Sequence, residues 1–180
     1  KDVKDIINAC PKERQTMMFS ATLDREVMAI ADQYLTQYDV VDVAPEALQM
    51  DHIKQSLFYV SKENKSDLLK HQLETEGHIQ TLIFVRTKHG ADKLTKSLAK
   101  LQYRVTAIHG DKTQHQRTKA LDLFKKSQFE ILVATDVAAR GLDIKNLPRI
   151  INYDMPEAAD AYIHRMGRTG RAGQDGIVYS

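Results

Sequence analysis

The sequence predicts an α/β fold in which a mostly parallel β-sheet is covered by helices. From residue 55 onward, short apolar runs alternate with segments of helical periodicity. The runs are rich in β-branched and aromatic residues, and some are apolar on both faces, as in the buried strands of a parallel sheet. This alternation produces right-handed βαβ units, whose ligands bind at the carboxyl ends of the strands.

Six strands and four helices are predicted after residue 55. The strands are QSLFYV (55–60), TLIFV (81–85), YRVTAI (103–108), EILVA (130–134), RIINYD (149–154) and GIVYS (176–180). The helices are KENKSDLLKHQLETE (62–76), KHGADKLTKSLAKL (88–101), QHQRTKALDLFKK (114–126) and EAADAYIHRM (157–166). Apolar residues of the second and third helices recur at helical spacing, which predicts one buried face for each.

The segment before residue 45 has a different composition. It is acidic, and it predicts a helix near 2–9, a strand at QTMMFS (15–20) and a helix at 24–35, with YDVVDV (38–43) as a further strand candidate. The polar stretch that follows contains Pro45 and is typical of a linker. The predicted domains are therefore a terminal fragment of one domain (1–44), a linker (45–54) and a second domain (55–180). The fragment is too small to fold well alone.

Composition excludes several functional classes. Hydrophobic residues make up 42% and charged residues 28%, as in folded globular proteins. No run of about 18 apolar residues and no signal peptide is found. The single cysteine, Cys10, rules out an internal disulfide and favours a reducing compartment, so a cytoplasmic location is expected. The seven histidines are scattered without metal-ligand spacing, so no metal ligand is predicted.

Positive charge is concentrated in one stretch. Residues 86–126 carry eleven Lys or Arg and three Asp or Glu, a balance of +8 in a chain whose net charge is +2. The stretch is either a solvated lysine-rich face or a footprint for a phosphate backbone. Charge alone favours the solvated face.

Small polar residues follow several predicted strands. SAT, with Ser20 and Thr22, follows QTMMF and can join a polar network between domains, although a helix cap is the better interpretation of these residues alone. Thr87 follows LIFVR at a helix start, and Gly110 follows YRVTAI. Helix N-termini of this kind bind phosphate, because their free N–H groups point outward.

Gln114 and Arg117 lie one turn apart at the start of a predicted helix. Arg117 shares its helix face with apolar residues and could simply extend along the edge of the core. Because both residues lie inside the +8 stretch, a phosphate contact is preferred.

ATDVAARGLDI (134–144) joins a predicted strand to a short helix. Thr135 can donate a hydroxyl to a phosphate, Gly141 permits close backbone approach, and Asp143 is an acceptor suited to ribose hydroxyls. A capped helical turn explains Thr135 and Gly141 equally well, but it leaves Asp143 and Arg140 without a role.

HRMGRTGRAG (164–173) has arginines at 165, 168 and 171 and glycines at 167, 170 and 173. Each glycine weakens a helix by about 1 kcal/mol relative to alanine, so a solvated helix face is a poor explanation. We interpret the motif as guanidinium groups directed at an anion. Arginines that stabilise charge on a transferring phosphoryl group need this chemistry.

Taken in order, SAT, LIFVRT, HGDKTQHQR, ATDVAARGLDI and YIHRMGRTGRAG closely resemble the motifs of DEAD-box ATP-dependent RNA helicases. The resemblance covers nearly the whole chain, and its last two motifs are specific. It implies a RecA-like three-layer α/β/α domain, the second of two lobes that clamp ATP and RNA between them. The chain would supply this lobe and the last part of the first.

The resemblance also implies roles for individual residues. Those assigned to catalysis are Arg168, Arg171 and His164. Those assigned to nucleotide binding are Gly141, Asp143, Arg168 and Arg171. Those assigned to the RNA backbone are Thr87, Gly110, Gln114, Arg117 and Thr135. Ser20 and Thr22 would couple the lobes.

The family's phosphate-cradling P-loop and its DEAD tetrapeptide do not occur in these residues. ATP with Mg²⁺ would therefore be held largely by an N-terminal lobe that precedes them, and the fragment alone is expected to be inactive. The expected partners are RNA, that lobe and protein regulators. Two alternatives stay open, a DNA-directed helicase of the same superfamily and a non-catalytic module that binds RNA or protein.

Overall fold

A computed structural model of the chain describes residues 2–20, 23, 25–41, 52–139, 142, 144, 146–170 and 174–180. The chain forms two compact units, Lys1–Pro45 and Glu46–Ser180.

The larger unit contains a six-stranded sheet whose neighbouring strands all pair in parallel. Its strands are β1 (Ile53–Ser56), β2 (Thr81–Phe84), β3 (Val105–Ile108), β4 (Ile131–Ala134), β5 (Arg149–Asn152) and β6 (Gly176–Tyr179). Their spatial order is β1-β6-β5-β2-β4-β3. The helices between them are α3 (Lys65–Thr75), α4 (Lys88–Lys100), α5 (Gln114–Lys125), α6 (Asp136–Ala139) and α7 (Ala159–Met166). The predicted α/β class is confirmed.

Helices cover both faces of this sheet. Along β2, Leu82 and Phe84 join one hydrophobic cluster, whereas Ile83 joins the other, because successive strand side chains point to opposite faces. Phe124 of α5 packs in the first cluster and Leu98 of α4 in the second. The domain is therefore the three-layer α/β/α arrangement that the resemblance implied.

The first strand is shifted relative to its predicted position. β1 covers Ile53–Ser56, whereas the apolar run predicted 55–60. Ile53 is buried at 7% exposure, while Tyr59 is 95% exposed. The paired residues of β1 and β6 are Ile53–Ser56 and Gly176–Tyr179, and the Phe58 N–H also donates to the Ser180 carbonyl at 2.7 Å.

The smaller unit contains the helices α1 (Asp2–Ala9) and α2 (Arg25–Tyr34), as predicted. The predicted strand at QTMMFS is wrong, since residues 15–20 form no strand and Phe19 is 87% exposed. A strand needs a neighbour for its backbone hydrogen bonds, and no other strand occurs in the described part of this unit. Residues 38–41 of the YDVVDV candidate are likewise not a strand, and its last two residues lie outside the described residues.

A buried arginine at the amino-terminal edge of the sheet in the larger unit links two strands to helix α3. Arg149, 1% exposed, donates from Nε to Thr81 Oγ1 at 2.8 Å and from Nη1 to the Gln72 carbonyl at 3.1 Å. Burial lowers the pKa of this guanidinium, and the charge of Glu76 opposes that effect. Because Gln72 belongs to the last turns of α3, the arginine also complements the negative end of that helix.

Glu130 forms a second polar cluster at the same edge. Its side chain is 7% exposed, and it accepts from the Arg104 backbone N–H at 3.1 Å and contacts His78 Nδ1 at 3.1 Å. Burial by itself raises the pKa of the carboxyl, but the hydrogen bonds from Arg104 and His78 outweigh it, so the pKa of Glu130 lies below its usual value.

We expect the Glu130→Gln variant to lose less stability in acid than the unmodified chain. A carboxyl with a lowered folded pKa stabilises the fold above its unfolded pKa, and that contribution is lost as pH falls through the folded pKa. Urea unfolding from neutral pH to below pH 4.5, the ordinary value, measures the difference. Glu63→Gln, at an exposed position, is the control. Parallel acid profiles for Glu130→Gln and the unmodified chain would contradict the assignment.

Candidate functional site

Three of the predicted phosphate-binding residues lie at one edge of the sheet. Thr87, Gly110 and Thr135 follow the carboxyl ends of β2, β3 and β4, which are adjacent strands. Parallel strands present these ends on the same side, so the fold brings the three segments together.

Thr87 and Gly110 are both exposed, but for different structural reasons. Thr87 caps α4, and its hydroxyl accepts from the Gly90 N–H at 3.0 Å. A Cβ built on Gly110 would meet no atom within 4 Å. Packing within the described residues therefore does not demand glycine at position 110, and the space beside its backbone is open.

Thr135 is more enclosed, with 9% exposure. Its N–H donates to the Ile108 carbonyl at 3.4 Å and its carbonyl accepts from the Ala139 N–H at 2.9 Å. The residue therefore links the end of β3 to the short helix α6.

Arg117 connects two helices at this edge. Thr113 caps α5 in a capping box with Gln116, and Gln114 in the first turn of α5 is exposed. From there Arg117 Nη1 donates to Gln114 Oε1 at 3.3 Å, and Nη2 donates to the Ala138 carbonyl at 3.2 Å. Its Nε is buried without a hydrogen bond to a described residue. Arg117 thus lies at the carboxyl edge of the sheet and also holds α6 through its hydrogen bond to the Ala138 carbonyl.

A cluster that was not assigned a role from the sequence joins α4 to the loop after β3. His109 is 1% exposed, and its Nε2 lies 3.0 Å from Asp92 Oδ1, which also accepts from Lys112 Nζ at 3.2 Å. The hydrogen bond from His109 lowers the pKa of the Asp92 carboxyl, and Lys112 adds to the effect. The cluster fixes the segment of Thr87 relative to that of Gly110.

Arg165, the first arginine of HRMGRTGRAG, is a structural residue. It is 3% exposed, and its guanidinium donates to both carboxylate oxygens of Asp136 at 2.7 Å. It also donates to Asn152 Oδ1 at 2.8 Å and the Asp154 carbonyl at 2.7 Å, and it lies 4.7 Å from the centre of the Phe84 ring. The anion that Arg165 faces is therefore the Asp136 carboxylate of the chain itself, and its guanidinium is not available to a bound phosphate.

Arg168 and His164 lie together at a small cleft beside α6. The cleft is lined by Phe84, Asp136, Ala139, Ala161, His164, Arg165 and Arg168. His164 is exposed, whereas Arg168 is half-buried and donates from Nη1 to the Leu142 carbonyl at 2.7 Å. The fold thus brings two of the three predicted catalytic residues next to Asp136 and Ala139 of ATDVAARGLDI.

The backbone of this motif is set by packing at Gly170. Gly170 has φ +63°, and a Cβ there would clash with the Ile53 side chain. The glycine is therefore needed for close packing within the domain, as well as for its left-handed conformation.

Four of the predicted site residues fall outside the part of the chain that the structure describes. Gly141, Asp143, Arg171 and Thr22 lie outside the described residues. Ser20 is exposed in the smaller unit, Lys1–Pro45. Among the described residues, no three His, Cys, Asp or Glu side chains form a group that could hold a metal ion. No helix in the described ranges is long and apolar enough to cross a membrane.

Comparison with known proteins identifies related domains. The family model "Helicase conserved C-terminal domain" matches residues 64–173. A DEAD box protein from the hyperthermophile Methanococcus jannaschii is 37% identical, with a TM-score of 0.69, over 99% of this chain and 48% of that one.

Two further solved structures were determined with bound molecules. Saccharomyces cerevisiae Dbp5 bound to RNA and ADP BeF3 is 31% identical, with a TM-score of 0.81, over 99% of this chain and 46% of that one. Escherichia coli DEAD-box protein SrmB bound to regulator of ribonuclease activity A is 34% identical, with a TM-score of 0.63, over 71% of this chain and 74% of that one. The chain thus spans about half the length of the first and second of these relatives.

Proposed function

Because this chain belongs to the helicase conserved C-terminal domain family and its structural neighbours are DEAD-box RNA helicases, we propose that it is part of an ATP-dependent RNA helicase. The enzyme couples ATP hydrolysis to the unwinding or remodelling of RNA duplexes in the cytoplasm. Residues 55–180 are its C-terminal lobe, 45–54 a linker and 1–44 the end of its N-terminal lobe. The convergence of Thr87, Gly110 and Thr135 at one sheet edge, next to the cleft of Arg168, carries the proposal.

RNA binds along this edge through its sugar-phosphate backbone. Thr87 and Gly110 lie on exposed segments, and the open space beside Gly110 lets a phosphate approach the backbone. Gln114, Arg117 and Thr135 complete the proposed contacts. Backbone contacts carry no base sequence information, and contacts to the 2′-hydroxyl favour RNA over DNA.

ATP binds between this lobe and an N-terminal lobe, which holds Mg²⁺. Arg168 and Arg171, with His164, stabilise charge on the γ-phosphate, and Gly141 and Asp143 contact the ribose. The position of Arg168 supports this assignment, because its guanidinium bonds to the carbonyl of Leu142, which belongs to ATDVAARGLDI. Forked, permanently charged guanidinium groups suit a phosphoryl group in transfer.

Closure of the two lobes around ATP and RNA completes the active site. The bound strand bends away from its partner strand when the lobes close, and Ser20 and Thr22 couple hydrolysis to that separation. Since the P-loop and the DEAD tetrapeptide are not among these residues, the chain by itself does not hydrolyse ATP.

The proposal is tested with the protein expressed from its complete gene. We expect RNA to stimulate ATP hydrolysis strongly and DNA of the same sequence to do so weakly. Equal stimulation by DNA would instead identify a DNA-directed helicase, and RNA binding without any hydrolysis would identify a binding module. The 180-residue chain, purified alone, should show no activity above a no-protein blank.

Arg117→Ala is expected to weaken RNA binding and to reduce its dependence on salt. One lost phosphate contact makes the slope of log affinity against log salt concentration shallower by about 0.7 for a single strand. Fluorescence anisotropy with a labelled RNA across a salt series measures both quantities. Arg104→Ala, at the amino-terminal edge of the sheet, is the control.

A loss of affinity at unchanged slope would contradict the phosphate contact. In that case the bond from Arg117 Nη2 to the Ala138 carbonyl would be the cause, because its loss would free α6 to move.

A further inference from the structure

Helix α4 carries an exposed row of basic side chains that the proposed RNA site does not use. His89, Lys93, Lys96 and Lys100 are all exposed, and their spacing of four, three and four residues puts them on one face of the helix. The opposite face is buried against the sheet through Ala91, Leu94 and Leu98. We refer to the four exposed residues as the basic ridge.

The lysines of the ridge have no ion-pair partner among the described residues, in contrast to four other lysines of the same unit. Lys65, Lys70, Lys88 and Lys112 each pair with a carboxylate. Lys93, Lys96 and Lys100 form no salt bridge with any described residue. The only acidic residue on α4, Asp92, is already bound by His109 and Lys112.

Stacking like charges at this spacing destabilises a helix. Solubility does not require this row, since Lys54, Lys62 and Lys126 are exposed at separate places on the domain and form no salt bridge with a described residue. An anionic partner would remove the repulsion, and such a partner must itself be extended, because the lysines are arranged in a row.

The ridge starts where the proposed RNA site lies. Thr87, which follows β2 at the carboxyl edge, is the N-cap of α4, and the helix then runs away from that edge. At 1.5 Å per residue, the distance from Lys93 to Lys100 along the axis is about 10 Å, close to the span of four consecutive phosphates in one strand of a duplex. RNA that leaves the edge can therefore continue along α4.

We propose that the basic ridge binds the phosphate backbone of RNA that flanks the segment held at the carboxyl edge. This proposal rests on the proposed function, and it adds a second RNA-binding surface on the flank of the domain. The ridge makes no contact with bases, so it increases affinity for long substrates without sequence preference.

The test compares two triple variants of the protein expressed from its complete gene. One is Lys93→Gln/Lys96→Gln/Lys100→Gln, and the matched control is Lys54→Gln/Lys62→Gln/Lys126→Gln, which removes the same charge. Glutamine has nearly the helix propensity of lysine, so the fold is retained, as circular dichroism and thermal melting can verify. Binding is measured by anisotropy across a salt series, with a single-stranded RNA of about 6 nucleotides and another of about 20 nucleotides.

For the long RNA, we expect the ridge variant to bind at least about tenfold more weakly at low salt, with a salt slope shallower by about 2, since three contacts are lost. The short RNA should bind equally to the ridge variant and the unmodified protein. The control variant should match the unmodified protein with both RNAs.

Three results would overturn the ridge proposal while leaving the proposed function intact. The first is an unchanged affinity and salt slope of the ridge variant for the long RNA, as expected if an acidic protein occupied the ridge. The second is an equal loss of affinity of the ridge variant for both RNA lengths. The third is a loss of affinity in the control variant equal to that in the ridge variant. If the unmodified protein bound neither RNA, the proposed function and the ridge proposal would both be contradicted.

Discussion

In the complete protein, Arg168→Ala is expected to reduce RNA-stimulated ATP hydrolysis by roughly 10³-fold or more and to leave the fold unchanged. Arg168 is half-buried at the cleft with His164, and its bond to the Leu142 carbonyl fixes the direction of the guanidinium. Loss of a permanent charge at the γ-phosphate removes stabilisation that exists only in the transition state. Steady-state turnover at saturating ATP and RNA measures the effect.

Two further variants sharpen this test. Arg168→Lys keeps the charge but not the planar fork, so we expect it to recover little activity. Arg104→Ala, at the opposite edge of the sheet, should retain full turnover. We expect Arg171→Ala to be as inactive as Arg168→Ala, and an active double variant of Arg168 and Arg171 would refute the assignment of both.

Arg165→Met is expected to lower the free energy of unfolding by about 2 kcal/mol or more, since it removes the hydrogen bonds of a buried guanidinium and leaves the partly exposed Asp136 carboxylate without its partner. Arg165 donates to both oxygens of Asp136 and to two further acceptors at the end of β5, and a methionine can make none of these bonds. Urea unfolding of the unmodified chain and the variant measures the loss.

A second substitution separates the ion pair from simple packing. Removing both charges, in Arg165→Met/Asp136→Asn, should recover part of the lost stability, because no unpaired carboxylate then remains. Equal stability of Arg165→Met and the unmodified chain would show that Arg165 is not a structural residue.

The different environments of Arg165 and Arg168 show what the sequence could not reveal. Both arginines belong to one motif, three residues apart, with the same side-chain chemistry. They are distinguished by the acceptors of their hydrogen bonds: those of Arg165 include Asp136, Asn152 and the Asp154 carbonyl, which come from two other segments, whereas Arg168 donates to the Leu142 carbonyl. Such contacts between distant segments leave no trace in local spacing.

The same reasoning explains which parts of the fold were predictable. Strands such as TLIFV and EILVA are buried on both faces, so composition alone identified them. QTMMFS has an equally strand-like composition, yet it forms no strand, because a strand also requires a pairing partner. The start of β1 was missed because Ile53 stands next to polar residues and its burial depends on the loop that contains Gly170.

The candidate site divides in a similar way. Thr87, Gly110 and Thr135 could be grouped in advance, since parallel strands bring their carboxyl ends together. The bond between His109 and Asp92 could not, because Asp92 is one of several polar residues on α4 and only the fold selects it. The roles of Thr87, Gly110 and Thr135 in RNA binding stay predictions for the experiments above.

The pairing of β1 with β6 has a consequence for biosynthesis. Ile53 is opposite Gly176, so β1 can form its backbone hydrogen bonds with β6 only after a segment 123 residues further along the chain has left the ribosome. Contacts between such distant residues form slowly, because a long loop must close first. During translation we therefore expect β2 to β5 to assemble before β1 docks, and nascent chains that stop short of Gly176 to remain sensitive to proteases around Ile53.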